Sequence, residues 1–373
     1  MLYHSFKDKS LSALGLGCMR LPTLPSGEID EVATAEMVDY ALSHGINYYD
    51  TAWGYHDGNS ETVIGKLLSK YPRDSYYIAT KFPGYDISNM DKVREIFPRQ
   101  LEKTGMEYFD FYLIHNVCER NIDHYLNEDY GIMEYLLEQK KAGKIRHLGF
   151  SNHGDIPVMQ RFLDAYAPYM EFCQIQLNWL DYDFQNARGK LELLKKYNMP
   201  VWVMEPLRGG KLATLSPENE AKLKVLREDE TVVGWGFRWL QSFPQICVTL
   251  SGMSDLEQIK QNIEIFSNHK PATPQESEVL YGIAKDMTNS VPCTACRYCT
   301  EKCPEELDIP LLIELYNEHN FSGGGFLAPM RLSSLPKHKR PFCCIGCRRC
   351  EKVCPQQIKI SEVFADFCKK LKK

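Results

Sequence analysis

No stretch of this 373-residue sequence approaches the ~18 consecutive apolar residues of a membrane-spanning helix. Its first ten residues, MLYHSFKDKS, lack the apolar centre of an export signal. A cytoplasmic protein with no membrane partner is therefore expected. Also missing is the glycine fingerprint of a doubly wound dinucleotide-binding sheet. The first strand candidate runs into Gly15-Leu16-Gly17-Cys18-Met19-Arg20, which is not Gly-x-Gly-x-x-Gly. Disorder is not expected, because 44% hydrophobic and 25% charged residues suffice for a large core. Cysteine, by contrast, is abundant: of fourteen, eight fall into two short runs near the C-terminus. With no export signal, clustered cysteines read as metal ligands rather than disulfides. Cys173 and Cys247 sit in apolar, strand-like runs and read as core residues.

The length suits one large domain and one smaller. Up to about residue 270, short apolar runs alternate with amphipathic stretches, the pattern of a parallel sheet with crossover helices. Strands are expected at 13–16, 47–52, 77–81, 109–115, 146–151, 172–177, 201–205 and 246–251, with helical segments between them. Eight such units make a closed (β/α)8 TIM barrel, and the span matches its usual size. Pro271 and Pro274 mark a boundary. The expected domains are thus a barrel over 1–270, a linker helix within 271–290, and a smaller C-terminal domain over 291–373. From Arg331 onward twelve basic residues face three acids, although the chain's net charge is −5. Nucleic acid is the sharpest reading of such a tail and is set aside here for a milder one. Anionic metal–thiolate centres need positive charge nearby, and an acidic electron-transfer protein is a further candidate partner.

Reactive residues of a (β/α)8 enzyme lie at the C-terminal ends of strands. Those positions hold Asp50 and Tyr55 after the second strand, Lys81 at the end of the third, and His115 at the end of the fourth. Type, order and strand position of all four match the catalytic tetrad of the aldo-keto reductase family, which this sequence resembles over roughly residues 10–270. The resemblance implies reduction of an aldehyde or ketone, or oxidation of the alcohol, by hydride transfer with NADP or NAD. Tyr55 would donate the proton, Lys81 would lower its pKa, Asp50 would hold Lys81, and His115, neutral, would orient the carbonyl. For the cofactor the resemblance implies Ser151, Asn152 and Gln176 at the nicotinamide carboxamide. It likewise implies the loop from Glu205 through Leu207 to Gly210 over the pyrophosphate, and Ser251, Gly252, Gln258 and Asn262 at the adenosine phosphate. Backbone N–H groups at a helix start would face that anion. Two departures stand out: Met204 replaces a common stacking tyrosine, and Gly252 and Gln258 replace the cations that grip a 2′-phosphate. Weak discrimination between NADP and NAD is therefore expected, unless another cation such as Arg208 or Lys260 reaches the phosphate.

Cys293, Cys296, Cys299 and Cys303-Pro304 form the C-x2-C-x2-C-x3-C-P run of bacterial ferredoxins, repeated at Cys344, Cys347, Cys350 and Cys354-Pro355. In that pattern the fourth cysteine serves the other cluster. Cys293, Cys296, Cys299 and Cys354 are thus expected on one 4Fe-4S cluster, and Cys344, Cys347, Cys350 and Cys303 on a second. Zinc favours paired cysteines with a longer loop between the pairs. Cys343, next to a ligand, could compete with Cys344. The long, helical spacer between the runs suggests an α-helical ferredoxin-like domain, and barrel plus double run resembles the iron-sulfur-containing branch of aldo-keto reductases. The residues leave open whether the clusters are structural or carry electrons. They also leave open the substrate, and the alternative of a nucleotide-binding redox sensor or docking protein.

Overall fold

The computed structural model describes residues 1–288 and 290–372. Asn289 and Lys373, which fall in the expected linker and basic tail, lie outside the described residues. Two compact units divide at Tyr281/Gly282, within the helix Pro274–Thr288.

The first unit opens with an antiparallel hairpin, β1 (Tyr3–Phe6) and β2 (Lys9–Ser12). Eight parallel strands follow: β3 (Leu14–Gly17), β4 (Tyr48–Asp50), β5 (Tyr77–Phe82), β6 (Phe109–Val117), β7 (Ile145–Asn152), β8 (Cys173–Gln176), β9 (Val201–Met204) and β10 (Ile246–Ser251). They close into a barrel, with β10 pairing β3 so that Ser251 lies opposite Leu16. Each expected strand is present with its ends moved by a residue or two. β6 shows why: its first six residues, Phe-Asp-Phe-Tyr-Leu-Ile, are all buried, as a strand covered on both faces requires. The register sets Gly17 beside Asp50 and Lys81 beside Leu113, so the ends of β4, β5 and β6 reach the same rim.

Two elements went unread in the sequence. The hairpin closes the N-terminal end of the barrel, where Phe6 packs edge-on against Trp202 at 5.1 Å and beside Phe111 and Phe172. Its turn lacks the Asn-Gly or Asp-Gly signal of a two-residue hairpin. The helix Val232–Leu240, VVGWGFRWL, is buried from Gly234 onward and carries two glycines, so it shows no polar face to give a helical period.

The second unit contains no strand among the described residues. Helices Ile309–Ser322, Leu327–Ser334 and Ile360–Lys370 contribute to a small core around Leu312, Leu315, Phe364 and Phe367. Gly323, left-handed at φ 65°, ends the first of them. The cysteine runs share one backbone course, 51 residues apart. Ala295, Arg297 and Glu306 have positive φ, and so do Gly346, Arg348 and Gln357 at the equivalent places. Each run also makes a single 3-10 turn, Thr300–Lys302 and Glu351–Val353. Left-handed residues cost about 1–2 kcal/mol each without glycine, so their repetition marks a shape both loops must hold. Among the described residues no helix is long and apolar enough to cross a membrane.

Candidate active site

The ends of β4, β5 and β6 bring the four expected side chains together. Lys81 Nζ donates to Asp50 Oδ1 at 2.6 Å, to the Thr51 carbonyl at 2.8 Å and to Tyr55 Oη at 3.2 Å, which uses all three ammonium protons. Lys81 and Asp50 are both buried. The Tyr55 and His115 rings stand edge to face at 6.2 Å, and Tyr85 packs against the other side of His115 at 5.2 Å. Tyr125 fixes the His115 backbone by donating to its carbonyl at 2.6 Å.

Charge in this pocket follows burial. Burial pushes His115 well below its ordinary 6.5, and the Lys81 cation adds to it, so the imidazole is neutral. Its Nδ1 is buried without a hydrogen-bond partner. Burial works against the Lys81 cation, yet Asp50 and Tyr55 overturn it and its pKa is raised. For Tyr55 the result departs from the expectation that Lys81 lowers the phenol. Burial raises it above its ordinary 10.0, and the lysine's pull does not overcome that.

Ser151 and Asn152, at the end of β7, are buried. Asn152 Nδ2 donates to the Gly154 carbonyl at 2.8 Å, while its Oδ1 is buried with no partner, an acceptor left for something not in the chain. Gln176 Nε2 donates to Asp181 Oδ2 at 2.7 Å. Glu205, with φ 55°, begins the loop after β9, in which Leu207 precedes the turn Arg208–Gly210. Ser251 Oγ accepts from Asn262 Nδ2 at 3.2 Å. Of the two alternative cations only Lys260 is exposed. Arg208 is buried against Asp181 at 3.0 Å, and Lys260 pairs with Glu257 at 2.6 Å. The helix start after β10 is also capped by the protein itself: Asp255 Oδ1 accepts from the Gln258 N–H at 2.8 Å, and Oδ2 from the Gln258 side chain at 2.7 Å.

In the second unit the cysteines gather into two sets across the runs. Cys293, Cys296, Cys299 and Cys354 line one small cavity, backed by Ile313 and Ile358. Cys303, Cys344, Cys347 and Cys350 line another, backed by Leu307 and Phe364. Burial raises the thiols of Cys293 and Cys344. Burial pushes Cys299 up to about 11 and Cys350 up to about 12, with neighbouring thiols and, for Cys350, Glu351 adding to it. Among the described residues no three Cys, His, Asp or Glu side chains are gathered tightly enough to hold a single metal ion.

Residues 13–279 match the aldo/keto reductase family model. The chain belongs to the aldo/keto reductase family. Residues 292–358 of this aldo/keto reductase match a second model, the 4Fe-4S dicluster domain. Among curated relatives, the NADH-specific methylglyoxal reductase of Escherichia coli is 25% identical over 69% of this chain and 90% of its own length. L-galactose dehydrogenase of Arabidopsis thaliana is 26% identical over 68% and 83%. Among solved structures, the holo form of an aldo-keto reductase from Bacillus halodurans aligns with TM-score 0.62 and 25% identity, covering 76% of this chain and 96% of that one.

Two parts of this aldo/keto reductase's site carried no sequence signal that was read. Glu61, fully buried in the helix Ser60–Leu68, accepts from Thr80 Oγ1 at 2.6 Å, Gln100 Nε2 at 2.7 Å and Lys103 Nζ at 2.6 Å. Gln100 also donates to the Lys81 carbonyl at 3.0 Å, so this network clamps β5 where it presents Lys81. Arg20 is the second. From the loop after β3 it lies against both Gly209 and Gly252, where added Cβ atoms would fall 2.8 and 3.1 Å from its side chain, and its Nη2 is 4.0 Å from Glu205. It puts a cation between two loops that the family resemblance assigns to the cofactor.

Proposed function

We propose that this oxidoreductase reduces a small aldehyde or ketone, or oxidises the alcohol, with Tyr55 as the proton donor. The observation that carries the reading is the single ammonium of Lys81 bonded at once to Asp50, the Thr51 carbonyl and Tyr55. A bound nicotinamide supplies the hydride. Asn152, through its unpaired Oδ1, together with Ser151 and Gln176, would hold the carboxamide, and Arg20 with the Glu205–Gly210 loop would meet the pyrophosphate. Neutral His115 orients the carbonyl oxygen by hydrogen bonding. Tyr55 gives that oxygen its proton as negative charge develops, and the phenolate left behind is stabilised by Lys81, which Asp50 holds charged. The same groups would serve NADH; nothing at Gly252 or Gln258 demands a 2′-phosphate.

The eight cysteines are read as ligands of two 4Fe-4S clusters in the crossed sets that line the two cavities. Thiols pushed up as those of Cys299 and Cys350 are become thiolates beside strong positive charge, which iron would supply. Their spread around each cavity suits a polynuclear cluster better than one zinc ion.

Replacing Tyr55 by Phe keeps the ring and removes the proton. Carbonyl reduction by the anaerobically purified variant falls by about a hundredfold or more, while nicotinamide binding, followed by fluorescence titration, stays near the parent value. Near-parent turnover would sink the assignment.

A further inference from the structure

The internal repeat separates what the clusters need from what this chain adds. Both runs follow the same backbone course and carry the same cysteines, so a residue that serves cluster binding should recur 51 positions away. Arg297 and Arg348 do recur. Arg349 and Lys352 do not: their counterparts are Tyr298 and Glu301. Nor does Lys302, whose counterpart is Val353. These three unmatched cations line one shallow cleft of about 420 Å³, with Glu301 as its single acid and Cys303-Pro304 in its wall. All three are exposed, and among the described residues no side-chain ion pair or hydrogen bond ties any of them. On the first run, by contrast, Arg297 is paired with Asp308 at 2.5 Å. The cations converge from both runs, Lys302 from the first and Arg349 and Lys352 from the second, on that one cleft.

Ile345, between two cysteines of the second run, is 64% exposed and shares a cavity wall with Cys303 and Pro304, which also wall the cleft. Cys347 is exposed as well. Apolar surface beside unpaired charges of one sign is the make-up of a transient protein-docking face. There, charge steers the encounter and a small apolar centre holds it. The positive sign selects an acidic partner. The exposed cysteine ligand selects one whose function is served by lying close to a cluster.

We propose that this face, centred on Lys302, Arg349 and Lys352 with Ile345 beside them, docks a small acidic electron-carrier protein. The proposal rests on the cluster reading above and concerns binding alone. The test uses the anaerobic, full-length holoprotein, with iron and acid-labile sulfide counted first, and a small acidic 2Fe-2S ferredoxin as the probe. The parent binds the probe with an affinity that falls as salt rises. The variant Lys302→Gln/Arg349→Gln/Lys352→Gln binds about tenfold more weakly at low salt with its iron content unchanged. A control with the same charge change in the first unit, Lys141→Gln/Lys195→Gln/Lys196→Gln, stays within about twofold of the parent. Carbodiimide cross-linking of the parent, which needs no variant, joins probe carboxylates to Lys302 and Lys352. Equal binding by the triple variant, equal weakening by the control, cross-links that avoid both lysines, or displacement of the probe by a single-stranded oligonucleotide would each overturn the docking face while leaving the clusters intact. A parent without iron and sulfide would overturn the cluster reading and this proposal together.

Discussion

At the scale of single residues, the sign of two shifts sets how the site should respond to pH. Burial raises the Tyr55 phenol above 10.0, so it carries its proton throughout the neutral range. Burial, with Lys81, holds His115 well below 6.5, so it remains neutral over the same range. Reduction needs both of these forms. Its kcat/KM should therefore be flat from about pH 7 to 9, then fall at high pH as the phenol is lost. Alcohol oxidation, which needs the phenolate as base, should rise toward high pH instead. A titration of kcat/KM with a limb near 6.5 would show that His115 takes on charge and would contradict this arrangement. The identity of these four residues was legible because a (β/α)8 barrel puts strand ends on one rim, and Asp50, Tyr55, Lys81 and His115 each follow or end a readable strand. The direction of the Tyr55 shift was not. It depends on how much water the fold removes from the phenol, a tertiary property, and the sequence displays only that a lysine is nearby.

At the scale of elements, the helix Leu256–Ser267 shows both what a sequence carries and how it can be underread. Asp255 followed three residues later by Gln258 has the spacing of a capping box, and the structure makes that cap, the Asp255 carboxylate taking the Gln258 N–H. The helix start therefore has one of the N–H groups offered to a phosphate, that of Gln258, taken by its own cap. It presents a carboxylate, in the region where family members that prefer NADP place cations. NAD(H) should bind at least as tightly as NADP(H). Asp255→Asn, which keeps a good cap and removes the charge, should shift the ratio of the two Kd values toward NADPH by about two- to fivefold. A strong NADPH preference in the parent chain would contradict the reading and point to Arg20, the cation lying against Gly252. The strands were legible from short apolar runs, since a strand buried on both faces writes itself into nearly every residue. The N-terminal hairpin and the helix Val232–Leu240 were not. One lacks turn chemistry, and the other is buried from Gly234 to its end, so neither displays a period.

At the scale of the whole molecule, the second unit packs a small apolar core in which Cys299 and Cys350 are themselves buried, and the cysteines are where further stabilisation is sought. Its two loops hold left-handed residues at three matched positions, and all of these except Gly346 carry a conformational cost. Metal binding offsets such costs in small domains, because the site forms only with the fold and its binding free energy becomes folding free energy. Anaerobically purified protein should accordingly contain about eight iron atoms and eight labile sulfides per chain. Each cavity draws three cysteines from one run and the fourth from the other, so a substitution should act at a distance in sequence. Cys303→Ala should cost the cluster bounded by Cys344, Cys347 and Cys350, leaving about four irons and the cluster of its own run. Iron counting separates this from uncrossed ligation only in combination with a second variant. Cys303→Ala/Cys344→Ala should lose no more iron than Cys303→Ala alone if the ligands cross, because both changes strike one cluster. Loss of both clusters in the double variant, with each single variant losing one, would refute the crossing. Two zinc ions and no labile sulfide in the parent would refute the clusters themselves.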